Sequence, residues 1–155
     1  MSGLLTCDSI CHLECKDLHM KAAHEIWVAT ALLHGEHPLR RDFSVPEILG
    51  RALAENPAAG FSEVLSGYAI THCVAIFPPR AVSCRILTAT RHDRRRLFRQ
   101  GDPCHPDRSG AKTRPDKSEL PARYHYLVDW YDREYCRRCI PIAARIPFSD
   151  AAGAA

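Results

Sequence analysis

The sequence predicts an α+β chain, mainly helical, with three helices followed by a β-hairpin. Three observations carry this. Ala23, Ile26, Trp27, Thr30 and Leu33 recur at three- and four-residue spacing. Ser44 and Glu47 have capping-box spacing, with Phe43 and Ile48 at the two positions of a hydrophobic staple. Val82, Cys84, Ile86 and Thr88 alternate with Ser83, Arg85, Leu87 and Ala89, and Leu97-Phe98 returns after a charged turn. Helix, short link, capped helix, turn, helix and basic hairpin is the order of a winged helix-turn-helix domain. A chain of 155 residues, 46% hydrophobic and 25% charged, has the material for one such domain with additions.

Residues 1–16 carry no clear period and read as a poorly ordered leader. Cys7, Cys11, His12 and Cys15 offer four zinc donors only on a sharply bent backbone. The leader lacks the basic start and long apolar core of an export signal. The eight cysteines are therefore expected as reduced thiols in a cytoplasmic protein rather than as a disulfide framework. No apolar run approaches the roughly 20 residues of a bilayer-spanning helix.

The winged-helix domain is placed at 17–102. Its first helix spans about 17–34 and ends at Gly35 and Pro38, with Lys21, His24 and Glu25 off the apolar stripe and the histidines at the surface or in caps. The second begins at Val45, tolerates Pro46 in its first turn and stops at Asn56-Pro57 after about eleven residues. The third, capped by Ser62, buries Phe61, Val64, Leu65, Tyr68 and His72. It ends near Cys73 or runs on to Pro78-Pro79, because Ile70, Thr71, Val74 and Ile76 are β-branched. As recognition helix it presents Ser62, Glu63, Ser66, Gly67, Ile70 and Thr71, a face with no arginine or lysine. Base readout from such a face is weak, which shifts affinity to the hairpin and the segment after it.

Charge is concentrated there. The chain carries only +3, yet residues 84–117 hold ten Arg and Lys against Asp93, Asp102, Asp107 and Asp116. A concentrated patch draws a polyanion, whereas dispersed charge mainly serves solubility. Residues 91–94 are read as the turn. Arg91, Arg94, Arg95, Arg96 and Arg99 on the wing, with Arg108, Lys112, Arg114 and Lys117 on the basic connector 103–117, form the predicted DNA-binding set. The plainer reading is a soluble edge strand and a solvated linker.

The last element is a helix within 118–139, capped by Ser118 with Pro121 in its first turn. Tyr124, Leu127, Val128, Tyr131 and Tyr135 form its stripe, for core packing or for a homodimer, while Asp129, Asp132 and Glu134 make the rest acidic. Cys136 and Cys139 have the spacing of half a zinc site, completed only if Cys104, His105 or the leader cysteines join them. Cys104-His105 is weighed as a nucleophile and base, but no orienting or oxyanion group accompanies it. Residues 140–155 read as a flexible tail.

The run Phe43-Ser44-Val45-Pro46-Glu47-Ile48, then His72-Cys73-Val74-Ala75, Arg96-Leu97-Phe98-Arg99-Gln100-Gly101-Asp102, His105-Pro106-x-Arg108-x-Gly110-x-Lys112 and Tyr126-Leu127-x-Asp129-Trp130-Tyr131 resembles a small, largely uncharacterised bacterial family with a winged helix-turn-helix type domain. The resemblance spans roughly 20–135 and implies that fold and DNA binding, without a catalytic set or ligand. No G-x-G-x-x-G, P-loop, H-E-x-x-H or G-x-S-x-G string occurs. The functional expectation is thus a non-catalytic binder of duplex DNA, a transcription regulator or accessory factor without cofactor. A protein-interaction module is the alternative, and a nuclease or zinc protein the weaker one.

Overall fold

In the computed structural model, which describes residues 20–57, 63–79 and 83–136, the capping box at Ser44 is formed as the spacing predicts. The Glu47 amide donates to Ser44 Oγ at 3.2 Å, and the Ser44 amide donates to Glu47 Oε2 at 2.8 Å. Helix α2 (Val45–Glu55) therefore starts at the predicted residue and keeps Pro46 in its first turn. Phe43 and Ile48 of the staple are both fully buried.

Helix α1 (Ala22–Glu36) runs past the expected stop, carrying Gly35 in its last turn before Pro38. It is buried on nearly every side, not along one stripe. His24, Glu25 and His34, expected at the surface, are covered, and Glu25 and His34 find polar partners, as most buried polar groups do. Asn56 Nδ2 donates to Glu25 Oε1 at 2.8 Å, tying the end of α2 to α1. The Leu97 amide donates to His34 Nε2 at 3.3 Å. Burial pushes the His24 pKa down, with Glu119 opposing.

Helix α3 (Glu63–Gly67) continues as a π-helical turn, Tyr68–His72, and ends at Cys73. The β-branched residues that follow leave the helix as their propensity suggests. Val74 bridges Leu87, and the Ala75 amide donates to the Leu87 carbonyl at 2.9 Å. Leu65 is buried as predicted, but Val64 is 59% exposed, correcting its place in the stripe. Phe61 and Ser62 lie outside the described residues.

Strands β1 (Phe43–Ser44), β2 (Leu87–Arg91) and β3 (Arg94–Leu97) form an antiparallel sheet in the order β1-β3-β2. The sequence marks Phe43 only as an extended link. In the fold that link is a third strand, with Phe43 opposite Arg95 and Ser44 opposite Arg94. The hairpin turn is His92-Asp93, and the Asp93 carbonyl accepts from the Val45 amide at 2.9 Å, so the turn sits at the start of α2.

The connector, expected as a loose arm, is folded against the domain. Arg85 and Lys112 pair through Arg85 N–H to Lys112 O at 2.9 Å, and His105 N–H donates to Ala75 O at 2.7 Å. Arg108 is completely buried. Gly110 turns the chain at φ 80°, in the left-handed region where a side chain is unfavourable.

The C-terminal element starts later than predicted. A 3-10 turn (Ala122–Tyr124) leads into α4 (His125–Trp130) and a π-helical turn (Tyr131–Tyr135). Ser118 lies inside another 3-10 turn, Lys117–Glu119, where the Asp116 amide bonds Glu119 Oε2 at 2.9 Å. Tyr124, Leu127, Val128, Tyr131 and Tyr135 are all buried in the chain's own core. Of the two expectations for this stripe, core packing is what these side chains do. Trp27 meets Tyr131 edge to face, with centroids 5.8 Å apart. The Tyr131 hydroxyl donates to the Phe98 carbonyl and that of Tyr135 to the Leu97 carbonyl. The whole is an α+β, mainly helical assembly. No helix among the described residues is long and apolar enough to cross a membrane.

Candidate nucleic-acid interface

Arg94, Arg95 and Arg96 occupy β3, the central strand, and each is held within the protein. Arg94 Nε donates to Asp42 Oδ1 at 2.6 Å. Arg95 is 3% exposed, and its guanidinium donates to the carbonyls of Arg91, His92, Arg94 and Ile70. Burial depresses its pKa, with Asp93 opposing. Arg96 grips Asp102 through two bonds of 2.7 Å. The same buried carboxylate also accepts from Thr88 Oγ1 at 2.9 Å and from the Arg99 amide at 2.7 Å. A phosphate would have to compete with these partners.

The connector's cations are engaged as well. Arg108 donates to the carbonyls of Phe77, His72, Cys84, Thr71 and Pro78. It is a knot between the connector and the end of α3, not a phosphate contact. Lys112 pairs with Asp116 at 2.7 Å and Glu119 at 3.3 Å, Arg114 with Asp132 at 2.8 Å, and Lys117 with Asp129 at 2.8 Å. Carboxylates of the connector and of the C-terminal helix thus neutralise Lys112, Arg114 and Lys117.

Of the predicted set, only Arg91 and Arg99 have side chains without a hydrogen bond or ion pair among the described residues. Arg91 lines an open cleft of about 350 Å³ with Arg40, Arg41, Asp42 and Arg94. The link residues before β1 are brought there because β1 pairs with β3 and carries the chain beside the hairpin turn. Arg40 forms two bonds to Glu47, at 2.8 and 2.9 Å, and lies 4.5 Å from the Phe43 ring centroid. Arg41 is exposed and has no ion pair among the described residues. Burial opposes the Asp42 charge, but hydrogen bonds from Thr90 and Arg94 and the field of Arg94 and Arg91 hold its pKa below the usual range. The Arg40 bonds, then the Ser44 amide, hold Glu47 at about 2. Four guanidinium groups around two carboxylates leave a net positive cleft. Arg40 and Arg41 were missed because +3 of net charge and a scan for basic runs point past a pair beside an aspartate.

The predicted recognition face is ordinary. Glu63 and Ile70 are exposed, Ser66 and Gly67 half-buried, and Thr71 bonds its own helix at Gly67 O. Among the described residues no group of three or more His, Cys, Asp or Glu is placed to hold a metal. Cys104 and Cys136 are half-buried free thiols, while Cys139 and the leader cysteines lie outside the described residues. His105 Nδ1 accepts from the Asp107 amide at 3.1 Å, capping the Pro106–Arg108 turn. One thiol pair was not anticipated. Cys73 and Cys84 share a hydrogen bond that, with burial, pushes the Cys73 pKa up. No protein-family model, no curated protein and no solved structure matches the chain.

Proposed function

We propose that this chain is a non-catalytic DNA-binding protein of winged-helix type that holds duplex backbone phosphate at the hairpin turn and the link before β1. The arginine cleft carries the reading. Arg41 and Arg91 are exposed beside two further guanidinium groups, and two carboxylates do not cancel four cations. The strand order β1-β3-β2, with helices α1, α2 and α3 preceding the hairpin, supports the frame. The absence of Arg or Lys on the described α3 face supports backbone contact over base readout.

The test is binding of a random-sequence duplex, read by anisotropy across a salt series. Log K falls against log salt with a slope of about 0.9 per phosphate neutralised. Arg41→Ala with Arg91→Ala lowers that slope by about 2. An unchanged slope in the double variant, or no binding at low salt, sinks the reading. A second reading, a protein partner, is favoured by one observation: Val64, Ile70, Ile76 and Phe77 are exposed on α3 and in the turn after it. Such a partner would leave duplex binding absent and show instead as a complex on a sizing column.

A further inference from the structure

Cys73 closes the π-helical turn after α3, and Cys84 stands just before β2; both are free thiols. Backbone bonds clamp the two stretches together. The Cys73 carbonyl accepts from the Ile86 amide at 3.1 Å and from the Leu87 amide at 3.0 Å. Arg108 fastens the same corner by donating to the His72 carbonyl at 2.8 Å and to that of Cys84. Cys84 Sγ is thereby held over the turn, 3.9 Å from the His72 carbonyl oxygen, and the two thiols share a hydrogen bond. A disulfide tolerates only a narrow range of backbone separations, and two clamped segments whose thiols already bond meet that demand with little movement.

The two thiols are not equivalent. Cys84 keeps 9% exposure and Cys73 none, so a small oxidant meets Cys84 first. The hydrogen bond from Cys73, aided by the Arg108 guanidinium and opposed by burial, brings the Cys84 pKa below the ordinary thiol value. The same bond, with burial, keeps Cys73 protonated. Thiolate is the attacking form of cysteine, and a neighbouring thiol captures the oxidised product before it goes further.

From this arrangement we infer that Cys84 and Cys73 form an oxidative modification site, at which a hydroperoxide converts the two thiols to an intrachain disulfide. With hydrogen peroxide, the Cys84 thiolate attacks one peroxide oxygen and the O–O bond breaks. Hydroxide leaves and takes up a proton as water, and the Cys84 sulfur, oxidised by two electrons, becomes a sulfenic acid. The Cys73 sulfur then attacks the Cys84 sulfur. The S–S bond forms, the S–O bond breaks, and the hydroxyl departs as a second water with the Cys73 proton. Two thiols and one peroxide thus give one disulfide and two waters. The bond ties the end of α3 to the segment entering β2, and a dithiol reductant undoes it. No residue of the arginine cleft takes part, so the site is tested apart from the phosphate reading.

The test treats the native, fully reduced chain with one equivalent of hydrogen peroxide, alkylates the remaining thiols and reads a tryptic digest by mass spectrometry. Cleavage after Arg51, Arg80 and Arg85 puts Cys73 in peptide 52–80 and Cys84 in peptide 81–85. The expected main disulfide is these two peptides joined, at their summed mass less two hydrogens, and it disappears on reduction. In Cys73→Ser the sulfenic acid at Cys84 persists and is labelled by dimedone, whereas in Cys84→Ser Cys73 stays unlabelled. A main disulfide between any other two cysteines or between two chains overturns the inference. So does recovery of Cys73 and Cys84 both alkylated once the peroxide is consumed, or dimedone on Cys73 in Cys84→Ser. If either variant does not fold, the joined peptides from the native chain decide alone.

Discussion

Arg91 and Arg95 lie four residues apart on one hairpin and look alike in sequence, yet one faces solvent and the other is 3% exposed with its guanidinium on four backbone carbonyls. The difference is position in the sheet. Arg95 stands in the central strand, flanked by β1 and β2, whereas Arg91 ends an edge strand at the turn. A central strand over a helical core leaves no route to solvent for a side chain on its inner face, so the guanidinium must find acceptors inside. The same division separates Arg108 from Arg41. Basic residues in this protein form two populations, one building the fold and one presenting charge.

The sharpest way to break that division is Arg108→Leu. It removes the guanidinium that five carbonyls around the end of α3 share, and the expected loss is at least about 3 kcal/mol of unfolding free energy, read from urea denaturation. A shift below about 0.5 kcal/mol would place Arg108 with the outward group. Next comes Arg96→Ala, which strands the buried Asp102 carboxylate and costs about 3 kcal/mol, against about 1 kcal/mol or less for Arg94→Ala, whose pair with Asp42 is more exposed. Equal losses in the two would erase the distinction drawn from burial. Arg41→Ala with Arg91→Ala should leave stability within about 0.5 kcal/mol of the parent, since neither side chain has a hydrogen bond or ion pair among the described residues.

The smallest effect is a pH dependence. Glu47, held at about 2 by the Arg40 bonds and the Ser44 amide, is depressed below its ordinary 4.5. A depressed carboxylate contributes stability that is fully present above about 4.5 and is lost as pH falls through about 2. Glu47→Gln should therefore flatten the fall of the urea midpoint across that window while leaving the trend above it unchanged. Because the pair is exposed, solvent screening keeps the effect small. An identical acid profile in parent and variant would show that the depressed pKa carries no folding energy.

Much of the local structure was legible in residues 43–57. A capping box, a staple and a terminal Asn-Pro are chemistry within one turn of backbone, and the helix obeys them. The candidate interface was less legible. Arg91 was visible, but Arg94 to Arg96 were assigned to a phosphate-binding wing when they form the middle of a sheet, because the two-residue strand that encloses them has no periodicity of its own. Lys112, Arg114 and Lys117 read as a free basic arm, since the carboxylates that pair with them follow up to 18 residues later.

The sequence by itself determined where α2 begins and ends, where the hairpin turns, and that the molecule is mainly helical with a small sheet. Those features depend on backbone hydrogen bonds and side chains a few residues apart. Only the tertiary structure decided which arginines are spent inside and which are offered outward. That depends on strand order and on long-range pairing of Asp42 and Asp132 with their cations, and a burial environment is a property of the assembled chain, with no counterpart in any local window.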